Sequence, residues 1–200
     1  MLYHRTFADY KEYVFDQGRK VRTRPEQYDV SNPRPVAAFT AMFENVKSYL
    51  KPGSILCLGA RAGWEIVGAS NAGFTECAGI DLHPASPIVR KADWHNMPFA
   101  DSRFDTIFTN SIDHCLDLPK LVAEIKRVLV PGGVFFLLAS YREVWKKRSI
   151  EERMQHGVEA LFWDHPNDLL PEFQNAGFVV FKAWMEDSHG YYFMRKRDGN

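Results

Sequence analysis

The sequence is poor in cysteine and has no spacing that a disulfide framework or a metal site requires. Its three cysteines, Cys57, Cys77 and Cys115, are an odd number and lie on or beside apolar stretches. Reduced, buried thiols are therefore expected. The three cysteines and seven histidines form neither a C-x-x-C nor an H-x-x-x-H pattern, so no metal site is predicted.

The chain also lacks net charge and long apolar runs. Lysine and arginine together number 25, as do aspartate and glutamate, which argues against nucleic acid as a partner. No apolar run approaches the ~20 residues of a membrane-spanning helix, and the N-terminus lacks the basic and apolar regions of a signal peptide. We therefore expect a cytoplasmic protein without a membrane partner. Its oligomeric state stays open, with a homodimer as one alternative.

Strand patterns alternate with helical patterns over most of the chain. The predicted strands cover 55–58, 74–80, 91–93, 104–109, 134–139, 178–184 and 191–195. The predicted helices between them cover 63–72, 84–89, 118–129, 141–162 and 167–176. This alternation indicates an α/β fold with a parallel, doubly wound sheet.

Residues 1–50 are predicted to form a helical extension, or lid, on a domain of residues 51–197. Apolar residues at helical spacing predict an amphipathic helix over 1–17, which could cover the ligand edge of the domain. A second helix is predicted over 32–50. Between them, Arg19–Arg24 contains four cations and is interpreted either as a solvated loop or as a clamp for a substrate carboxylate or phosphate.

A glycine turn follows the first buried strand. Gly59 and Gly63 come after the apolar run Ile55–Leu58, where glycine lets the backbone turn and approach a ligand. Asp81 ends the next strand, where an acid can accept both hydroxyls of a ribose. Because the glycine spacing is too wide for a pyrophosphate site, a cofactor with a ribose and no pyrophosphate fits better.

Four sequence blocks follow one another between residues 53 and 140. They are Ile55–Gly63, Gly79–Asp81, Ala92–Asp105 and Leu121–Gly133, the last ending in R-V-L-V-P-G-G. In this order they resemble the class I S-adenosylmethionine-dependent methyltransferases, specifically the type 11 group. The resemblance implies a Rossmann-like methyltransferase fold, a mostly parallel seven-stranded sheet with helices on both faces and an antiparallel last strand. It also implies S-adenosyl-L-methionine as the cofactor.

The resemblance further implies cofactor contacts at the carboxyl ends of neighbouring strands. The contacts expected at the methionine part are Gly59, Ala60, Arg61 and Gly63. Those expected at the adenosine are Asp81 for the ribose and Leu82, Asp93 and Trp94 for the adenine. Those expected at the methyl-transfer end are Asn110 and Ser111.

Two residues depart from the family pattern. The first glycine-rich motif usually begins with an acid where this chain has Cys57, and Arg61 replaces its middle glycine. That acid normally helps to hold the ammonium group of the cofactor. Glu65, in the first turn of the next helix, is the candidate replacement, although an acid is also favourable there because of the helix dipole. Arg61 could bind the carboxylate of the cofactor or pair with Glu65.

His114 is the candidate catalytic base. It lies just past the fourth predicted strand, and histidine titrates near neutral pH, which suits proton removal from an acceptor. A structural role is the alternative. An apolar acceptor pocket could be lined by Tyr3, Phe7, Tyr10, Trp145, Phe162, Trp163 and Trp184.

The predicted function is methyl transfer from S-adenosylmethionine to a small or medium-sized acceptor molecule, since the chain has no large added domain. One alternative is a catalytically degenerate or regulatory protein that binds the cofactor without transferring a methyl group, and the altered glycine motif keeps this open. The other is methylation of RNA or protein, with Arg19–Arg24 as a docking patch.

Overall fold

The computed structural model describes residues 1–23, 25–29, 31–140, 152, 154 and 159–197. In these residues a seven-stranded sheet forms the centre, and a two-stranded sheet joins the N-terminus to a later segment. No helix of this part of the chain has both the length and the apolar content needed to cross a membrane.

The central sheet is doubly wound, as predicted. Its strands are β2 (Ser54–Leu58), β3 (Glu76–Asp81), β4 (Arg90–Lys91), β5 (Phe104–Thr109), β6 (Leu129–Ser140), β8 (Phe178–Glu186) and β9 (His189–Lys196). They lie in the order β4-β3-β2-β5-β6-β9-β8. The first five are parallel, and β9 is antiparallel to both of its neighbours. The antiparallel last strand is therefore confirmed.

Helices cover both faces of this sheet. On one face, α3 (Pro33–Val46) and α4 (Trp64–Asn71) contribute to one apolar core. On the other face, α5 (Leu118–Val128) and α6 (Leu170–Asn175) contribute to a second core. Short 3-10 helices cover 25–28, 47–49, 112–114 and 166–169.

Strand β2 runs between these two cores. Ile55 and Cys57 belong to the core beneath α3 and α4, whereas Leu56 and Leu58 belong to the core beneath α5 and α6. Both faces of the strand are thus buried, which explains its unbroken apolar sequence. The order of strands reverses beside β2, and in such folds this switch point is where ligands bind.

The predicted helix over 1–17 is wrong in its first half. Leu2–His4 forms strand β1, which pairs antiparallel with β7 (Leu161–Trp163). Helix α1 (Tyr10–Gln17) begins only after Asp9, whose side chain accepts a hydrogen bond from the Glu12 amide at 2.9 Å. The strand at the N-terminus depends on a partner far along the chain, which the local spacing of apolar residues cannot reveal.

Three other predicted segments need correction. Residues 84–89 form turns and bends, not a helix, because Pro84 and Pro87 lack the amide hydrogens that a helix uses. Residues 19–23 form helix α2 (Arg19–Thr23), not a loop. Most of the predicted helix over 141–162 lies outside the described residues, and its last two positions belong to β7.

Candidate active site

A cleft opens at the carboxyl edge of the central sheet, where β2, β3 and β5 end. It encloses about 790 Å³ of space, including its open mouth. Three of its lining residues, Tyr13, Gln17 and Tyr28, come from the N-terminal extension. The other lining residues are Gly59, Ala60, Arg61, Ala62, Trp64, Glu65, Ile80, Asp81, Leu82, Ala92, Trp94, Asn110, Ser111 and His114.

Gly59 shapes the loop that follows β2. Its φ of +74° lies in the left-handed region, and an added Cβ would lie 2.8 Å from the Cβ of Ser111. The amides of Gly59 and Ala60 donate to the Ile80 carbonyl at 2.9 and 3.1 Å. Only glycine fits this position without displacing a neighbour, so the loop can lie directly against the segment after β5.

Asp81 is a buried acid at the end of β3. Its Oδ1 accepts a hydrogen bond from the His83 amide at 2.7 Å, and its Oδ2 accepts one from the Arg61 amide at 3.2 Å. The Arg61 Nε lies 3.4 Å from the same Oδ2 as an ion pair. Because each carboxylate oxygen can accept two hydrogen bonds, Asp81 retains capacity for ligand hydroxyls.

Glu65 presents a buried carboxylate to the cleft. It lies in the first turn of α4 and is 7% exposed. Its Oε2 is buried and has no hydrogen-bond partner in the described part of the chain. Burial raises the pKa of Glu65 to about 7, and the negative charge of Asp81 adds to this effect, while a backbone amide and Asn110 oppose it. A cation in the cleft would compensate this desolvated charge.

The partly buried Asp93 and the buried His95 form a pair beside the cleft. The Asp93 Oδ1 accepts hydrogen bonds from the His95 amide and Nδ1 at 2.8 and 2.7 Å, and its Oδ2 accepts the Tyr10 hydroxyl at 2.6 Å. Although burial alone would raise it, these hydrogen bonds lower the pKa of Asp93 to about 2. The His95 Nε2 accepts the Asp117 amide at 3.2 Å, so neither ring nitrogen of His95 is available as a base.

His114 lies at the end of the cleft that follows β5. It belongs to a 3-10 helix directly after Asn110 and Ser111, and all three line the cleft. The Ser111 hydroxyl donates to the Asn110 Oδ1 at 3.0 Å. The Tyr13 hydroxyl donates to the His114 carbonyl at 3.0 Å, so the N-terminal helix is held over this end of the cleft.

Comparison with known proteins bears on the same region. Residues 52–137 match the family profile described as a methyltransferase domain, type 11. The match contains the glycine loop, Asp81, Asp93 and the Asn110–His114 segment. These residues are therefore similar to the type 11 methyltransferase domains. The cofactor of such domains is S-adenosyl-L-methionine.

A curated protein is similar to this chain over a limited length. The biotin biosynthesis bifunctional protein BioHC of Cellvibrio japonicus is 30% identical over 124 residues, which are 58% of this chain and 23% of BioHC. The chain thus spans about a quarter of that relative.

Solved structures share the fold along most of the chain. The PH0226 protein of Pyrococcus horikoshii is 19% identical, with a TM-score of 0.66, and the match covers 90% of this chain and 99% of that one. An S-adenosylmethionine-dependent methyltransferase of Thermotoga maritima is 17% identical, with a TM-score of 0.66, and covers 92% and 99%. At these identities the likeness shows the fold alone.

Ten of the twelve predicted site residues line the cleft of the methyltransferase domain. The other two lie beside it, since Gly63 precedes α4 and Asp93 precedes Trp94. Tyr13, Gln17 and Tyr28 were not predicted as lining residues. The helical spacing of the N-terminal segment indicated a cover for this edge of the sheet but could not indicate which of its residues meet the cleft.

The aromatic residues predicted for an acceptor pocket lie elsewhere. The six that are described are absent from the cleft lining. Phe162 and Trp163 are buried in β7, which pairs with β1, and Trp184 lies on β8, where it stacks on Tyr191 at 4.8 Å. Trp145 lies outside the described residues. The pairing of β1 with β7 accounts for the position of Tyr3, Phe162 and Trp163, which lie in these two strands.

The side chains present in the cleft fit S-adenosylmethionine. Asp81 offers carboxylate oxygens to hydroxyl groups, and the unpartnered Oε2 of Glu65 suits a cationic group. Leu82 and Trp94 add apolar surface to the same cleft, which suits a planar base.

Proposed function

We propose that the protein transfers the methyl group of S-adenosylmethionine to a small or medium-sized acceptor molecule. The observation that carries the proposal is one cleft that contains both a ribose-type acid, Asp81, and a buried carboxyl group, that of Glu65, whose Oε2 has no hydrogen-bond partner among the described residues. The two acids match the two polar ends of the cofactor, its adenosine and its amino acid.

Each predicted residue has a proposed contact. At the methionine part these are Gly59, Ala60, Arg61 and Gly63 through the backbone and Glu65 through its carboxylate on the ammonium group. At the adenosine they are Asp81, Leu82, Asp93 and Trp94. At the methyl-transfer end they are Asn110 and Ser111. The Asp93 Oδ2 already accepts the Tyr10 hydroxyl, but an oxygen with two lone pairs can also accept an adenine amino group.

Alignment is the main task of the protein in such a reaction. The bound cofactor supplies an activated sulfonium methyl group. The segment Asn110–His114 positions the acceptor at that end of the cleft, and holding it in line supplies much of the rate enhancement. For an oxygen or nitrogen acceptor, the His114 imidazole removes the proton as a general base.

The residues of the N-terminal extension that cover the cleft favour a small acceptor. Tyr13 is 1% exposed and is hydrogen-bonded to the His114 carbonyl. Together with Gln17 and Tyr28 it lines the cleft from the N-terminal extension, which we assign as the lid of residues 1–50 on the domain of residues 51–197. A large folded substrate would have to displace this lid to reach His114.

Calorimetry with S-adenosylmethionine and its demethylated product tests the proposal. We expect micromolar binding of either compound and a loss of about tenfold or more in affinity for Asp81→Asn, since a charge-assisted hydrogen bond contributes on the order of 1.5–3 kcal/mol. Asp101→Asn, an exposed acid paired with Arg127, is the matched control. Absence of binding, or equal affinity in both variants, would contradict the proposal.

A second candidate function is cofactor binding without methyl transfer. It is favoured by the altered glycine loop, in which Cys57 replaces an acid and Arg61 a glycine. Burial raises the pKa of Cys57 well above its ordinary value, so the thiol cannot stand in for the missing carboxylate. Cofactor binding with no turnover on a broad pool of small acceptors would support this candidate.

Methylation of RNA or protein receives less support. Within helix α2, Arg22 donates to the Phe15 carbonyl, and Arg19 lies 3.5 Å from Asp16 as an ion pair. The described residues of the basic run do not line the cleft. Binding of RNA that weakens steeply with salt would revive this candidate.

A further inference from the structure

We propose that Arg61 is a positioning residue that fastens the N-terminal lid to the ribose-binding acid Asp81, so that the cofactor is released only after the Arg61 contacts break. The part of the lid concerned is helix α1 together with the 3-10 helix Pro25–Tyr28. The link to the cofactor rests on the proposed function; the fastening of the lid does not.

The Arg61 guanidinium joins three separate segments. Its Nη1 donates to the Tyr28 hydroxyl at 3.2 Å, and its Nη2 donates to the Gln17 carbonyl at 3.3 Å. Its Nε lies 3.4 Å from Asp81 Oδ2. Its Cζ also lies 5.3 Å from the centre of the Tyr28 ring. The side chain is 14% exposed, so these contacts are shielded from water.

The remaining lid contacts meet the same edge of the sheet. The Tyr10 hydroxyl binds Asp93, and the Tyr13 hydroxyl binds the His114 carbonyl. The His83 Nε2–H donates to the Val14 carbonyl at 2.7 Å. The lid therefore touches the loops after β3, β4 and β5. Among these contacts, only those of Arg61 join a charged side chain of the glycine loop to the lid.

Arginine suits this role for a chemical reason. A guanidinium has five N–H donors in a planar fork and can bind several groups at once, whereas lysine has one compact ammonium. In addition, Asp81 Oδ2 neutralises the guanidinium inside the cleft. A glycine, the usual family residue here, would leave both the Gln17 carbonyl and Asp81 without this partner.

The consequence concerns entry and exit of the cofactor. Tyr13, Gln17 and Tyr28 line the cleft, so movement of the lid would widen the path by which the cofactor enters and leaves. Because Arg61 holds both Asp81 and the lid, ribose binding at Asp81 and lid closure become linked. Arg61→Lys keeps the charge near Asp81 but loses the fork, and it should therefore loosen the lid selectively.

Hydrogen exchange of the ligand-free protein tests the fastening. We expect amides of α1 and of residues 26–28 to exchange about tenfold faster in Arg61→Lys and about threefold faster in Tyr28→Phe. Arg90→Lys and Tyr192→Phe are matched controls, since Arg90 lies over Phe99 and Tyr192 bonds Asn167, both away from the lid. Unchanged exchange in the lid, or faster exchange spread over the central strands, would overturn the proposal.

Release of S-adenosylhomocysteine tests the link to the cofactor. Trp64 and Trp94 line the cleft, so their fluorescence can follow release in a stopped-flow instrument. Because the same opening of the lid admits and releases the ligand, we expect association and release rates that are both about tenfold higher in Arg61→Lys, and rates equal to the wild type in Arg90→Lys. Equal release rates in all proteins would overturn the link. Failure of the wild type to bind would instead reject the proposed function, while the exchange experiment still decides whether Arg61 fastens the lid.

Discussion

The buried carboxylate of Glu65 makes the stability of the ligand-free protein depend on pH. With an ordinary pKa of 4.5 and a pKa of about 7 in the folded protein, Glu65 is ionised in the unfolded chain and protonated in the fold between these two values. The unfolded chain then binds fewer protons, so the free energy of unfolding falls as the pH rises from 4.5 to 7. Glu65→Gln removes this dependence and keeps the shape of the side chain.

The size of the effect follows from the two pKa values. Their difference corresponds to about 3 kcal/mol, reached in full above pH 7. The free energy of unfolding of Glu65→Gln, minus that of the wild type, should thus increase by about 3 kcal/mol between pH 4 and pH 8. Because Glu65 is 7% exposed, solvent screening removes little of this amount.

Urea unfolding of both proteins at several pH values measures this difference. Glu172→Gln is the matched control, because Glu172 is also an acid in the first turn of a helix but lies outside the cleft. This control distinguishes a pH dependence of unfolding caused by burial in the cleft from one caused by the helix dipole. If the two glutamine variants show the same pH dependence, Glu65 is a dipole residue and the reasoning fails.

We also expect the affinity for the cofactor to depend on pH through the Glu65 carboxylate. An ammonium group near Glu65 favours the ionised form, so binding requires loss of a proton below pH 7 and affinity should rise by up to about tenfold per pH unit towards pH 7. Calorimetry across pH 5.5 to 7.5 should show this rise in the wild type and a flat profile in Glu65→Gln. If affinity rose with the same slope in the wild type and in Glu65→Gln, the pH dependence would come from a group other than Glu65.

Two further predictions concern the glycine loop and the proposed base. Gly59→Ala should lower the free energy of unfolding by about 1–3 kcal/mol, because φ is +74° and the new Cβ would meet Ser111; urea unfolding measures it, and an unchanged midpoint would contradict the geometry. His114→Ala should leave cofactor affinity within about twofold but lower turnover by about 10²-fold or more, once an acceptor is identified. Loss of cofactor affinity together with turnover in a binding and rate assay would instead make His114 structural.

Local sequence patterns determined the central sheet well. The unbroken apolar run of β2 predicted a strand buried on both faces, and the glycines after it predicted a turn at the ligand edge. Asp81 was recognisable because it ends the strand that follows the glycine turn, and Asp93 because it lies in the block Ala92–Asp105 that resembles the methyltransferase family. Patterns of this kind depend on residues within a few positions of one another, so the sequence contains them directly.

The tertiary structure alone decided the N-terminus and the partner of Arg61. Leu2–His4 forms a strand only because β7 pairs with it, and no periodicity within residues 1–17 encodes that partner. Arg61 could have paired with Glu65 on the basis of its position in the sequence, but the guanidinium reaches Asp81, Gln17 and Tyr28 instead.

The protonation of Glu65 shows why local sequence predicts some properties of the site and only the tertiary structure decides others. Its place in the first turn of α4 is a local property and was predictable. Its missing cation and its raised pKa depend on what surrounds it, namely burial and the charge of Asp81. Sequence determines which groups enter the fold, whereas burial and long-range contacts determine which of them are neutralised and which are left to bind a ligand.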